Sequence, residues 1–354
     1  ILNTTFPIFL KEIFLKGMNV LLLFLHWHSY IDFPTFLKLY IALYLAMTIF
    51  ISINVFRKYT YILTFNFNEI QSKELLVYGL YVVAGGASAI LVSKVDIVMI
   101  GKLIGYKEVA FYTVAYFIGN VVRVPARAIG SICMPLVARA WGKDDLVAIK
   151  DIYVKSAINQ LILGGLIFLG VWLNIDDGLS LFPTKFQGGK LVVFFIAFSQ
   201  LFNVSTGVNG LIIANSKYYR FDLYSNFMLL CFTLFTNFIF VPSSSPLASY
   251  EIVGINGAAF ATLLSVFFFN IIKMMFMYFK IGIQPFSVKT FYTVFLLFVI
   301  YYLSFYIPVT ENVYFNLLWR SFYILLLFIP AMYWLNLSKD INQAILEITK
   351  KIIK

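Results

Sequence analysis

Long uninterrupted apolar runs constrain this chain more than any other feature. A helix that crosses a hydrocarbon core needs roughly 20 consecutive, mostly apolar residues. Ten stretches meet that need: Phe6–His28, Phe33–Phe56, Leu75–Ile104, Val109–Leu136, Ile152–Trp172, Leu191–Ala214, Leu223–Val241, Ile252–Phe279, Phe291–Ile307 and Leu317–Leu335. Lys11, Glu12 and Lys16 interrupt the first. The runs are continuous rather than alternating over about ten residues, so helices are expected and a barrel is not. Apolar residues make up 61% of the 354 and charged ones 12%, against roughly 25% charged in soluble domains. No layered fold could hide that much apolar surface from water, which excludes a water-soluble enzyme. The low charge also excludes a disordered chain. The expected fold class is all-α, a polytopic membrane bundle of about ten transmembrane helices.

The basic residues orient the spans. Eighteen of the 27 lysines and arginines fall on flanks 1–16, 57–74, 138–156, 215–221, 273–289 and 336–354. Five (Lys102, Lys107, Lys185, Lys190 and Arg320) lie on the opposite side, and four (Lys38, Lys94, Arg123 and Arg127) within spans. This positive-inside bias places the first set, with both visible termini, in the cytoplasm. The net charge of +11 is thus a membrane-topology signal, and no nucleic-acid partner is expected. The longest outside loop, Leu173–Lys190, is too short for a soluble domain. After the last span, Ser338 can cap a helix whose Ile341, Ile345, Ile348 and Ile352 form one stripe. Lys350, Lys351 and Lys354 lie off it, as in an interfacial helix on anionic lipids. Cys133 and Cys231 sit in apolar runs and are expected as reduced, buried thiols. The chain begins at Ile1 without a signal-peptide layout, read as a fragment boundary.

Polar groups at membrane depth are the informative ones. A charge at a helix centre costs roughly 2.5–3.5 kcal/mol on insertion scales, so it normally faces a cavity or a partner. Asn120, Arg123, Arg127 and Ser131 recur at helical spacing on one stripe, with Pro125 and Pro135 expected to bend the helix. Two arginines on one face point to a basic lumen, and the planar guanidinium is well matched to phosphate oxygens. The alternative has Arg127 snorkelling to the boundary and Arg123 paired with a carboxylate. Lys94 and Asp96 point roughly 200° apart on their helix. Lys94 is a candidate for the same lumen. Asp96 is a candidate for a proton- or cation-coupled carboxylate, or a structural counter-ion to a basic residue of another helix. Lys38 reads as an interfacial lysine. Gln200, Asn203, Gly207 and Gly210 share one face, and the small residues from Gly254 to Ala259 favour close helix packing.

Other chemistry is sparse. No nucleophile elbow, phosphate-binding glycine loop or dinucleotide fingerprint occurs, and no cofactor is expected. His26 and His28 have no third ligand in view, so no metal site is expected. Asp144–Asp145 and Asp176–Asp177 read as solvated loop charge.

Residues 75–145, from "LLVYGLYVVAGGASAILVSKVDIVMIGKLIG" through "EVAFYTVAY" to Pro135 and the charged loop, carry a likeness, as do "GVNGLIIANSKYYRFDLYSNFMLLCFTLFTNFIFVP" (207–242) and "YEIVGINGAAFATLLS" (250–265), with "GINGAAFAT" the most telling part. This order of features resembles the polysaccharide flippases of the multidrug/oligosaccharidyl-lipid/polysaccharide exporter superfamily. The resemblance implies two six-helix lobes around a cavity, working by alternating access. It makes 1–74 the end of the first lobe, 75–280 a complete six-helix second lobe, 281–335 two extra helices and 336–354 a cytoplasmic amphipathic tail, with about four amino-terminal helices missing. The implied function is export of undecaprenyl-pyrophosphate-linked oligosaccharide for O-antigen, capsule or exopolysaccharide across the bacterial cytoplasmic membrane, coupled to a proton or sodium gradient. Asn120, Arg123, Arg127 and Lys94 are the candidate substrate residues and Asp96 the ion-coupling candidate. The alternatives are a cation or drug antiporter of the same superfamily, whose cavity should be acidic, and a membrane glycan polymerase, which needs a larger loop.

The charge bias generates a topology test. Single cysteines at positions 185 and 217 should react oppositely with an impermeant thiol reagent on intact cells, the first labelled and the second protected. Equal labelling of both would sink the orientation and the span count together.

Overall fold

A computed structural model of the chain describes residues 10, 14–58, 76, 79–80, 83, 91, 94–308 and 310–352. The start of the first expected span, most of the third, the linker 59–75 and Lys354 lie outside the described residues, as do the side chains of Ile348 and Ile352. The chain divides into two compact units, Ile1–Lys73 and Glu74–Lys354.

The first unit is a helical hairpin, α1 (Leu15–Trp27) and α2 (Phe33–Lys58). Its tight turn uses Ser29 at φ 58 and a hydrogen bond between the His26 ring and the Ile31 carbonyl, 3.0 Å.

The second unit is built of α3 (residues 94–103), α4 (Tyr106–Asn120), α5 (Val124–Trp141), α6 (Leu146–Leu173), the short α7 (Ile175–Ser180), α8 (Lys190–Ser205), α9 (Asn209–Ala214), α10 (Tyr219–Phe240), α11 (Gly254–Phe276), α12 (Val288–Leu303), α13 (Val313–Trp334) and α14 (Lys339–Ile352). No strand occurs among the described residues. Large apolar side chains such as Phe235, Phe238, Phe298, Leu318 and Phe322 stand more than half exposed. In water such a surface would drive association; in hydrocarbon it is the solvated face.

Seven helices among the described residues are long and apolar enough to cross a membrane, fewer than the ten expected. The first and third runs lie partly outside the described residues, the first being described only as the 13-residue α1. One run differs for a physical reason. The sixth is not one helix: α8 stops after 16 residues, the chain turns through Thr206–Val208 with Gly207 at φ 64, and the six-residue α9 follows. The left-handed backbone at Gly207 is open to glycine at no steric cost. A Cβ there would also lie 2.9 Å from Ser156 Oγ.

Helix α8 is central, packing on α4, α6 and α11. Its neighbour α11 in turn packs along α10 through small residues. Ala258, Ala259 and Ala261 are fully buried, and a Cβ on Gly257 would fall 1.9 Å from the Phe240 carbonyl oxygen. Small residues permit such approach where the hydrophobic effect between helices is lacking. Helices α12 and α13 lie against α6, where Leu297 fills the space above Gly165. The tail helix α14 is capped as expected: Ser338 Oγ accepts from Ile341 N at 3.2 Å. Ile341 and Ile345 pack on the cluster around Phe328, Met332 and Leu337, and Asn159 holds both Ser338 (2.5 Å) and Asp340 (2.8 Å). The visible part of its stripe therefore docks on protein.

Three expectations about side chains need correction. Cys231 is exposed, whereas Cys133 is buried; both are free. Asp177 is not solvated loop charge. Folding of 175–180 into α7 brings it to Arg320 at 2.8 Å, each side chain 17% exposed. Asp145 is the amino-terminal cap of α6, accepting from Ala148 N at 2.9 Å.

Gly257→Ala should destabilise the protein by about 1–3 kcal/mol or more, the usual range for overpacking. Gly170, in the same kind of helical interior, has nothing within 4 Å of an added Cβ, and Gly170→Ala should be neutral or stabilising by up to roughly 1 kcal/mol. Thermal unfolding of both variants in detergent checks the contrast.

Candidate functional site

The site grows from a break in the helix that carries the arginines. Helix α4 ends at Asn120, a 3-10 turn covers Val121–Arg123, and α5 begins with Pro125 in its first turn. Proline has no N–H to give and fits the start of a helix while obstructing its middle. The two segments together span Tyr106–Trp141. At this joint Arg123 and Arg127 open onto one polar cavity of about 420 Å³. Its other polar walls are Gln160 of α6, Asn203 of α8, Asn209 of α9, Asp222 and Asn226 of α10 and Lys273 of α11.

A second cavity of about 190 Å³ shares Arg123, Asn203, Asn226 and Phe269 with the first and extends to Asp96, Gln200 and Thr262. The two adjoin as one polar groove, in which Arg123 and Arg127 are exposed and Asp96 is buried. A larger cavity, about 670 Å³, lies between α6, α8 and α12, but its walls are almost wholly aromatic and aliphatic.

Asp96 closes one end of the groove. It is 5% exposed. Tyr112 Oη of α4 and Thr262 Oγ1 of α11 each donate to Oδ2 at 2.5 Å, and Asn237 Nδ2 of α10 donates to Oδ1 at 2.9 Å. Among the described residues it makes no ion pair, so the counter-ion reading is not what this geometry presents. Two amide oxygens in this region, Asn237 Oδ1 and Gln200 Oε1, are buried with no hydrogen-bond partner among the described residues. Buried polar atoms are nearly always paired, so this is an oxygen-rich pocket with unused acceptors.

Asparagines hold the turn between α8 and α9. Thr206 Oγ1 donates to Asn270 Oδ1 (2.8 Å), Asn270 Nδ2 to Asn203 Oδ1 (3.1 Å), and Asn209 Nδ2 to Thr206 Oγ1 (3.2 Å). Val208 N reaches Ser156 Oγ at 3.4 Å.

Of the five residues singled out from the sequence, the structure brings Arg123 and Arg127 into one cavity, with Asp96 at the end of the adjoining one. Asn120 and Lys94 line neither. Lys94 is exposed, on the side of α3 away from buried Val95, Asp96, Met99 and Ile100. Asn120 drops out because the 3-10 turn winds faster than an α-helix and breaks the continuity of the stripe. Sequence reasoning missed the pair Asp222–Lys273. Lys273 falls on an expected cytoplasmic flank, yet it is buried, with Nζ 2.7 Å from Asp222 Oδ1. The available signal was Asn270 and Lys273, three apart inside the apolar run 266–279.

Among the described residues no three His, Cys, Asp or Glu gather as a metal site. No curated protein and no solved structure matches the chain. Residues 33–161 match a family described as polysaccharide biosynthesis protein. The match covers α2 to α5 and part of α6, including Asp96, Arg123 and Arg127. The chain is thus a multi-pass helical membrane protein of which residues 33–161 are similar to polysaccharide biosynthesis proteins.

Proposed function

We propose that this protein carries a lipid-linked oligosaccharide, headed by undecaprenyl pyrophosphate, across the bacterial cytoplasmic membrane by ion-coupled alternating access. The family match over residues 33–161 supports a role in polysaccharide biosynthesis or export. The substrate and the mechanism are the step beyond it. One observation carries the reading: Arg123 and Arg127, both exposed, line one polar cavity in a bundle whose surface is otherwise rich in large apolar side chains. At membrane depth each arginine costs roughly 2.5–3.5 kcal/mol to insert, a cost that an anionic ligand offsets.

The chemistry suits a pyrophosphate. Guanidinium forks donate two parallel hydrogen bonds to neighbouring phosphate oxygens. Arg123, Arg127 and Lys273 outnumber Asp222 in the cavity of about 420 Å³, so that cavity attracts anions. A carrier of cationic drugs needs the opposite balance.

Asp96 serves as the coupling carboxylate. Its ligands are neutral donors from three helices, so its own charge is the one that changes. A proton turns one carboxylate oxygen from acceptor to donor. A sodium ion would find the carboxylate, two hydroxyls and the unused amide oxygens, the hard donor set such cations prefer. Either event rearranges contacts among α3, α4, α10 and α11 together.

Arg123→Ala and Arg127→Ala should each weaken binding of the lipid-linked glycan by about ten- to a hundred-fold, from roughly 1.5–3 kcal/mol per charge-assisted contact. Lysine at either position should restore part of the export, because charge survives and the fork does not. Glycan export in a flippase-deficient strain, normalised to protein in the membrane, is the measurement. Normal export by both alanine variants would end the pyrophosphate reading.

A separate expectation concerns Asp96→Asn. Export by this variant should stop responding to an imposed proton or sodium gradient while membrane abundance holds. An unchanged gradient response would reduce Asp96 to a structural link.

A further inference from the structure

We infer that Lys273 is a third cation for the pyrophosphate head group and that Asp222 is its built-in stand-in for the substrate, the ion pair opening when the lipid arrives. The inference rests on the pyrophosphate reading above and concerns residues outside the segment that matches the family.

Both residues line the cavity onto which Arg123 and Arg127 open. Lys273 Nζ lies 2.7 Å from Asp222 Oδ1, with side chains 5% and 25% exposed. The ammonium also sits 4.2 Å from the centre of the Phe269 ring. Asn226 Nδ2 donates to the other carboxylate oxygen at 3.1 Å. Asp222 thus keeps a partner of its own when Lys273 leaves, and its greater exposure allows the cavity to solvate it.

Stability does not explain the pair. The desolvation of two buried charges cancels most of their attraction, and an apolar pair of similar volume is often as stable. A buried pair in the wall of a cation-rich cavity is explained by exchange. Arg123 and Arg127 lie beside the joint of α4 and α5, whereas lysine is a compact charge on a flexible stem. A pyrophosphate carries more than one negative charge, so it outbids a single carboxylate for Lys273. When the lipid departs, Asp222 recaptures the ammonium and favours release.

Access is the second argument. Gly210 of α9 lies against the pair: a Cβ there would sit 3.4 Å from Lys273 Nζ and 4.0 Å from Asp222 Oδ1. Bare backbone at this position leaves the ammonium room to move. A larger side chain would wall it in without changing any charge.

The test is binding of undecaprenyl pyrophosphate to the purified full chain in detergent, alongside export in cells. Asp222→Asn should bind about tenfold tighter, because Lys273 has lost its competitor, yet export more slowly, because release is no longer assisted. Lys273→Met should bind about tenfold more weakly, and the double variant should match it. Gly210→Val should also weaken binding, and it decides the matter where Asp222→Asn fails to fold. A purely structural pair gives another pattern: both single variants melt lower, the double variant recovers, and affinity per folded molecule stays at wild type in all four. That pattern overturns the exchange. The combined Arg123→Ala, Arg127→Ala variant separates the two levels. If it binds as wild type, the pyrophosphate reading fails. If it loses binding while Asp222→Asn and Gly210→Val bind as wild type, only the exchange fails.

Discussion

A carboxylate whose described hydrogen-bond partners are all neutral joins four helices of the bundle. Asp96 takes hydrogen bonds from Tyr112, Asn237 and Thr262, and so joins α3 to α4, α10 and α11 at one point. In an apolar interior, losing any one donor leaves part of a carboxylate unsatisfied, which is far costlier than a lost bond at a surface. The arrangement of these helices therefore depends on a single side chain, and the state of that side chain is felt by all of them.

The interrupted helix α8–α9 is the counterpart of this junction. Inside a membrane, backbone can leave the helical ladder only where other groups satisfy it. Here Ser156 reaches Val208 N, and the Asn203, Thr206, Asn209 and Asn270 cluster pins the flanking side chains. The cost of that cluster is returned as geometry. Asn203, Gly207, Asn209 and Gly210 all line the cavity that holds the arginines, so the break in the helix is what gives the cavity a polar wall.

The helical class and most spans were legible in the sequence because apolar length is a local property: α10, α11 and α13 end within a few residues of the runs that announce them. The two arginines were legible for a similar reason, since a charge in an apolar run is conspicuous. What could not be read was anything set by contact between distant segments. Gly207 looked like one more small packing residue, and only its opposition to Ser156 shows that a helix stops there. Lys273 looked interfacial because the run 266–279 ends near it, whereas its environment is decided by Asp222, fifty-one positions earlier. Arg320 and Asp177 likewise meet only after α7 folds back on α13.

The contact at Gly257 has a mechanical consequence. Backbone meets backbone there, at the Phe240 carbonyl, so α10 and α11 can neither approach nor slide at that height. They are linked again lower down, at Thr236 and Ser265, and last at Asp222 and Lys273. Two rods pinned at one end and latched at the other have the geometry of tweezers. From Gly257 to Lys273 is sixteen residues, or roughly 24 Å of helix, so a splay of about 5° moves the latched tips by roughly 2 Å. Flexure of that kind needs compliant joints beyond the rods, and α11 is bounded by Gly254 at φ 63 before it and Gly282 at φ 78 after it.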